Sequence, residues 1–298
     1  MKNRIKILGA DTSIQQKTVD LKLILFFYRT RIGRTILNTF LVWKWFNSLH
    51  ALFYKSRLSI SKIEAFIEEY SIDMEEFSPT KYRSFNSFFI RTFKSGRREF
   101  VEESSVMPAF CEAFYMGWKS VGLYKSTHIK GRPYTVEQLF QDKNKAASFI
   151  DGPLIIARLA PYHYHWFHFP DDGQILDYYH IPGKLNSVDP IAIDQKPDIL
   201  WTNKRDITVL ETKNFGKIAY IEVGALTVGK INQRNKTGDH FSRGQKKGYF
   251  SFGGSTVLII GEKGFWNPCG EIIENTKMGI ECSALLGQAI AKSNKSQV

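Results

Sequence analysis

Apolar and basic residues recur at helical spacing from Leu21 to about Ile72, with Gly33 the one glycine or proline in that stretch. Helices are expected there. Trp43, Trp45, Phe46, Phe53 and Tyr54 stand among Arg29, Arg31, Arg34, Lys44, Lys55 and Arg57. That mixture suits helices lying in a lipid interface, where rings sit at headgroup depth and cations meet anionic lipid. It equally suits an amphipathic pair packed on the protein's own core. The segment SFNSFFIRTFKSGRREF, Ser84 to Phe100, reads as a short helix followed by a basic turn. Farther along the period changes. Short β-branched and aromatic runs, among them GPLIIARLAP, DITVLET, GKIAYIEVGALTVGKI and KGYFSFGGSTVLIIG, are punctuated by Gly, Pro and Asp. Such strands predict an antiparallel, barrel-like or sandwich β domain, with TVEQLFQD as a helical insertion. The tail CSALLGQAIAK, Cys282 to Lys292, reads as a final helix and SNKSQV as a frayed end. The expected class is α+β: a helical region over residues 1–75, then a β-rich domain over 76–298.

The formal charge of +12 on 298 residues points to an anionic partner or to plain solubility, without choosing between membrane and nucleic acid. The basic residues are spread out and match no nucleic-acid-binding motif, which argues against nucleic acid as a partner. Cys111, Cys269 and Cys282 form no CxxC pair and no zinc spacing, so neither a disulfide framework nor a metal site is indicated. The first twenty residues lack the apolar run of a secretion signal. Lys22, Arg29, Arg31, Arg34 and Lys44 interrupt Leu21 to Tyr54, which never reaches the roughly 20 apolar residues of a spanning helix.

Two segments carry candidate chemistry. In GYFSFGGSTV, Gly248 to Val257, a tight glycine turn between strands is one reading. A hydrolase elbow fits poorly, because Val257 stands where G-x-S-x-G needs its second glycine. Self-cleavage is the third reading: the Ser255 hydroxyl is next to the carbonyl of Gly254, a residue that offers little steric hindrance. The other segment, RLAPYHYHWFHFP, places His163, His165 and His168 within six residues. Zinc lacks a neighbouring cysteine or distant partner here. A catalytic base, which a serine nucleophile requires, competes with simple aromatic packing.

Five pieces in order resemble the phosphatidylserine decarboxylase family: FNSFFIRTFKSGRREF from Phe85, ARLAPYHYHWFHFP from Ala157, IPGKLNSVDPIAI from Ile181, YIEVGALTVGKI from Tyr220 and KGYFSFGGSTVLI from Lys247. The resemblance implies that Ser255 attacks Gly254, splitting the chain into a β chain (1–254) and an α chain (255–298) that stay associated. It implies a covalent pyruvoyl cofactor made from Ser255, forming a Schiff base with phosphatidylserine and acting as electron sink as CO2 leaves to give phosphatidylethanolamine. By motif position His168 matches the base for self-cleavage, His165 the residue that contacts substrate and assists decarboxylation, and Ser187 a position near the substrate's polar group. His163 has no matching family role and is read as partly exposed.

One departure stands out. The family's Pro-Ala-Asp-Gly, whose aspartate orients the catalytic histidine, is replaced by Pro108-Ala109-Phe110-Cys111-Glu112. Ungapped, Phe110 takes the aspartate's place. With a two-residue insertion, favoured by the distance onward to Lys130–Tyr134, Glu112 takes it, and Glu112 is assigned as orienter. Arg91, Lys94, Arg97 and Arg98 either meet lipid phosphate or form a solvated turn. The resemblance further implies a homodimer and a membrane phospholipid substrate; the basic, aromatic N-terminal helices point to peripheral binding to an anionic surface, and the compact length with no visible targeting peptide points to the cytoplasmic face of a bacterial membrane. A pyruvoyl decarboxylase of a soluble amino acid and an uncut, non-catalytic lipid-binding homologue remain as alternatives.

Overall fold

The computed structural model describes residues 4–16, 21–41, 44–123, 135–226, 230–253 and 255–294. Gly254, Trp43, the stretch 130–134 and the end 295–298 lie outside them, as do the side chains of Lys44, Trp45 and Phe46.

Every residue of the strand Ser255–Gly261 is buried. Its sequence, STVLIIG, is a continuous apolar run after the first two positions, as a strand covered on both faces requires. Val257 and Ile259 join one core with Phe167, Tyr220 and Phe250, while Leu258 and Ile260 join another with Val136, Leu139 and Phe149. The first core lies under two three-stranded sheets and the second under helices. Thr135 starts one of those helices, Val136–Phe140, by a reciprocal cap with Gln138 that satisfies otherwise orphaned amides.

The strand sits inside a ten-stranded sheet ordered His240–Phe241, Gly173–Ile181, Arg205–Thr212, Gly216–Val223, Ser255–Gly261, Leu154–Leu159, Ala113–Trp118, Glu281–Ala284, Arg4–Ile7, Ser13–Gln15. Neighbours run antiparallel except Arg4–Ile7, which is parallel to Glu281–Ala284. The mixed α+β class holds, but the sheet is open and the expected barrel-like closure is not made. Closure needs the terminal strands to pair. Here they are short strands at opposite ends of the order.

The tail is not a helix. Glu281–Ala284 and Ala289–Ser293 are strands joined by a turn at Gly287, where φ is +89° and a Cβ would lie 2.1 Å from the Glu99 carbonyl oxygen. Helix propensity in this alanine-rich tail yields to strand partners on both of its segments. Upstream, helices Leu21–Arg29, Arg31–Ile36, Lys44–Lys55 and Ile63–Tyr70 form as their period predicts. They are used both ways: Tyr28 and Leu37 enter the second core, whereas Leu23, Ile32, Leu49 and Leu52 are exposed. Among the described residues, no helix is long and apolar enough to cross a membrane.

A buried ion pair lies in the first core. Glu222 stands opposite Val257, and its Oε1 is 2.6 Å from Lys247 Nζ. Thr208 Oγ1 at 2.9 Å and Gln233 Oε1 at 2.8 Å take the other ammonium protons. Burial pushes both groups toward neutrality, Glu222 up to about 7. Glu222→Ala is expected to cost about 3–5 kcal/mol in urea unfolding, because a buried cation loses its counter-charge. Joint Glu222→Leu and Lys247→Met replacement is expected to be near neutral. A joint variant as unstable as the single one would mean that the core needs the charges themselves.

Candidate active site

Strand Trp166–His168 pairs with Lys246–Phe250, Trp166 opposite Tyr249 and His168 opposite Lys246. This lays the loop ending at His165 beside the turn that leads to Ser255, and the Phe250 N–H donates to the His165 carbonyl at 3.0 Å. Gly253 within the turn has φ +127°, which side chains rarely allow. Ser255 then opens the central strand opposite Leu159, wholly buried.

His165 is also wholly buried. Its Nε2 lies 3.1 Å from the Ala160 carbonyl oxygen. A carbonyl only accepts, so Nε2 carries the proton and Nδ1 presents a lone pair. That lone pair is 3.4 Å from Ser255 Oγ. A hydroxyl that donates to a neutral imidazole is the arrangement of nucleophile and general base. Burial first, then His163 and Arg91 nearby, hold the His165 pKa well below its ordinary value, so the ring is neutral. Phe89 stacks on it with centroids 3.8 Å apart.

His168 is engaged elsewhere. Its Nδ1 donates to the Gly244 carbonyl at 2.7 Å, which leaves Nε2 to accept from the Tyr164 hydroxyl at 3.2 Å. Burial pulls its pKa down to about 4. Among the described residues, no carboxylate bonds to this ring. Glu112 Oε1 instead takes Arg98 Nε and Nη2 at 3.1 and 2.8 Å, and Arg98 also holds Glu76. Burial nonetheless pushes the Glu112 pKa up against the pull of Arg98. Phe110 is a fully buried core residue packed edge-on to Tyr220, and its carbonyl accepts the His168 N–H at 2.7 Å.

The structure therefore brings Ser255 and His165 together, whereas His168 and Glu112 are hydrogen-bonded to other partners and not to them or to each other. Ser187 lies in a separate loop: its N–H donates to the Tyr28 hydroxyl at 2.8 Å and its Oγ accepts from the Asp189 N–H. His163 is half-buried, with Nδ1 accepting from the Ala160 N–H at 3.1 Å. The basic turn is split, since Lys94 and Arg97 are exposed while Arg91 is buried and donates to the Tyr162 carbonyl at 2.8 Å. Tyr164, Phe89 and the Ala160 carbonyl escaped the sequence reading. The first two lie inside the quoted motifs, but no periodicity marks a phenol or a stacked ring as a histidine's partner. Among the described residues, no group of three or more His, Cys, Asp or Glu side chains is arranged to hold a metal ion.

The model of the family described as phosphatidylserine decarboxylase matches residues 85–290. The chain belongs to the phosphatidylserine decarboxylase family. It is 37% identical over 267 residues to a phosphatidylserine decarboxylase proenzyme of Ruminiclostridium cellulolyticum, covering 88% of each chain. It is 37% identical to phosphatidylserine decarboxylase proenzyme 2 of Clostridium acetobutylicum, covering 90% of this chain and 91% of the relative. A Clostridium novyi proenzyme is 32% identical, with 88% and 90% covered.

For His168 the ordinary pKa of 6.5 falls to about 4 on folding. The unfolded chain thus takes up the proton first, so this stabilising contribution is full above pH 6.5 and is lost as pH falls through 4. Imidazole 15N NMR is expected to show His165 as the Nε2–H tautomer and His168 as the Nδ1–H tautomer at neutral pH, with neither protonated one pH unit lower. An imidazolium signal from either ring under those conditions would contradict the assignment.

Proposed function

We propose that this family member is a self-cleaving, pyruvoyl-dependent phosphatidylserine decarboxylase in which His165 takes the Ser255 hydroxyl proton. The supporting observation is the 3.4 Å contact between Ser255 Oγ and the unprotonated Nδ1 of His165, inside a fully buried site. The Ser255 oxygen attacks the Gly254 carbonyl, the amide becomes an ester and the freed amine stays on residue 255. Removal of the residue 255 α-proton, with the ester as leaving group, splits the chain and leaves Gly254 with a carboxylate and residue 255 as dehydroalanine. Water replaces its nitrogen, which departs as ammonia.

The pyruvoyl group is built from Ser255's own atoms, and a buried strand terminus beside His165 Nδ1 fits it. When present, it supplies an electron-withdrawing carbonyl for the substrate amine and a sink for the electron pair left as CO2 departs. His165 Nδ1 can take up the proton that the substrate's ammonium gives up on adding to that carbonyl, and can pass it to the carbon from which CO2 leaves. Ser187 is assigned to the substrate's polar group through its half-buried loop. His168 positions the loop through Tyr164, and Glu112 acts at one remove, its charge felt by the Tyr164 hydroxyl.

After cleavage, association of the two chains is supported by their interleaving. Ser255–Gly261 lies between two β-chain strands, and so does Glu281–Ala284. Arg158 of the β chain also donates to Glu281 of the α chain through Nε at 2.7 Å. Exposed Leu23, Ile32, Leu49 and Leu52 stand among exposed Lys22, Arg29, Arg31, Arg34, Lys55 and Arg57. They support peripheral docking of residues 1–75 on an anionic bilayer, the cytoplasmic face of a bacterial membrane.

The second reading, an uncut lipid-binding homologue, draws on one observation: His168 has a carbonyl and a phenol as partners where the family's aspartate is expected. Intact mass spectrometry separates the two. Two chains split between Gly254 and Ser255, the smaller blocked by a pyruvoyl group, are expected; a single chain of full mass favours the second reading. His165→Ala is expected to leave the precursor uncut while His168→Ala still cuts. The reverse pattern would return the role of base to His168. In vesicle sedimentation, binding is expected for phosphatidylserine-containing vesicles, falling as salt is added, and not for zwitterionic ones. Equal binding to both would remove the electrostatic part of the membrane assignment.

A further inference from the structure

The turn Ser251-Phe252-Gly253 leads to the expected cleavage bond between Gly254 and Ser255, and Phe252 is its one large side chain. Two successive glycines give such a turn wide backbone freedom. Something must hold it while Ser255 Oγ meets the carbonyl, because a misplacement of about 1 Å can cost on the order of a hundredfold in rate.

Phe252 is held by four rings, of which His50, on the same helix as Tyr54, lies parallel to it with centroids 5.8 Å apart. Tyr54, at the end of the helix Lys44–Lys55, stacks on it with centroids 4.1 Å apart and planes at 19°. Phe85 and Phe89 meet it edge to face at 4.9 and 5.1 Å. Its N–H donates to Asn86 Oδ1 at 3.0 Å. Phe89 in turn stacks on His165 at 3.8 Å, and His165 faces Ser255. Four rings thus run from the N-terminal helix to the base: Tyr54, Phe252, Phe89 and His165. One end of the column fixes the turn and the other fixes the imidazole, so both reacting partners are referred to the same aromatic support. The helix at the head of the column lies far from the turn in sequence, yet Tyr54 packs directly on it.

We propose that Tyr54, Phe252 and Phe89 are positioning residues for self-cleavage, through which the helix Lys44–Lys55 sets the cleavage turn against His165. The inference rests on the self-cleavage reading above. Phe66 supplies an internal control. It packs on Phe85 and Phe88 in the same cluster, at 5.1 and 6.1 Å, but it is not part of the column.

Cleavage is followed by pulse-chase in cell-free translation of the full chain. Tyr54→Ala and Phe252→Leu are expected to slow cleavage about tenfold or more. Phe66→Ala is expected to cleave at the wild-type rate while losing comparable thermal stability. Unchanged rates in the column variants, or a rate loss in Phe66→Ala matching its stability loss, would overturn the proposal. The second measurement does not depend on cleavage. In a Ser255→Ala chain, adding Tyr54→Ala is expected to shift the His165 imidazole resonances and leave those of His168 in place, whereas Phe66→Ala moves neither. An unmoved His165 signal overturns the column. A wild-type chain that never cleaves defeats the self-cleavage reading instead, and the His165 shift then decides the column by itself.

Discussion

Burial of the strand Ser255–Gly261 on both faces constrains the rest of the centre. A strand wedged between Leu154–Leu159 and Gly216–Val223 cannot leave without breaking two ladders, so its first residue is held wherever the sheet puts it. The same enclosure removes water from the Ser255 hydroxyl, which must then find a partner inside the protein. It finds His165. The imidazole is enclosed as well, and burial keeps it neutral and able to accept. Placement, protonation state and hydrogen-bond direction therefore follow from one packing decision. The proposed cleavage ahead of Ser255 would spare both ladders of this strand, because their pairs begin at Ser255 and Thr256 and run on from there.

Much of this was legible in the sequence because it follows from local pattern. The run KGYFSFGGSTVLIIG announces strands, SFNSFFIRTF and TVEQLFQD announce short helices, and the N-terminal period announces helices. What was not legible depends on partners distant in the chain. CSALLGQAIAK has the composition of a helix, but Tyr115 and Phe114 offer Cys282 and Ser283 a ladder, and Met107 does the same for Ala291. The hairpin Arg4 to Gln15 is polar and short, and only its seat beside Glu281–Ala284 makes it a strand pair. At the site, the residue types His165 and Ser255 were evident, whereas which histidine faces the serine was not. Spacing within a loop does not reveal which carbonyl each ring will meet.

The altered acidic motif shows how charge reorganises when a carboxylate is missing from its usual place. Phe110 packs its ring against Tyr220, and its backbone carbonyl accepts the His168 N–H. Glu112 is near enough for its charge to reach Tyr164, but Arg98 claims its oxygen. Arg98 is bound in turn by Glu76, so both carboxylates turn toward the one guanidinium, and neither is hydrogen-bonded to a histidine among the described residues. Tyr164 takes the open acceptor of His168. The outcome is two neutral imidazoles of opposite tautomer, each fixed by a main-chain carbonyl.

A base with a depressed pKa is a weak one, and the centre has to be judged by the work asked of it. Catalysis over many turnovers favours a base matched to the working pH. Self-cleavage happens once per chain, so a slow attack through a reluctant imidazole suffices. The Ala160 carbonyl eases it, because a hydrogen bond from Nε2–H strengthens as the ring takes up positive charge, a carbonyl dipole doing in part what a carboxylate would do fully. Repeated turnover places a different demand on the same ring. There, on the proposed assignment, the pyruvoyl group would accommodate the electrons, and His165 would have only to pass one proton from the substrate's ammonium to a nearby carbon. On that assignment the weakly basic, tightly held imidazole serves both tasks, and the proposal needs no carboxylate bonded to His168, as none is among the described residues.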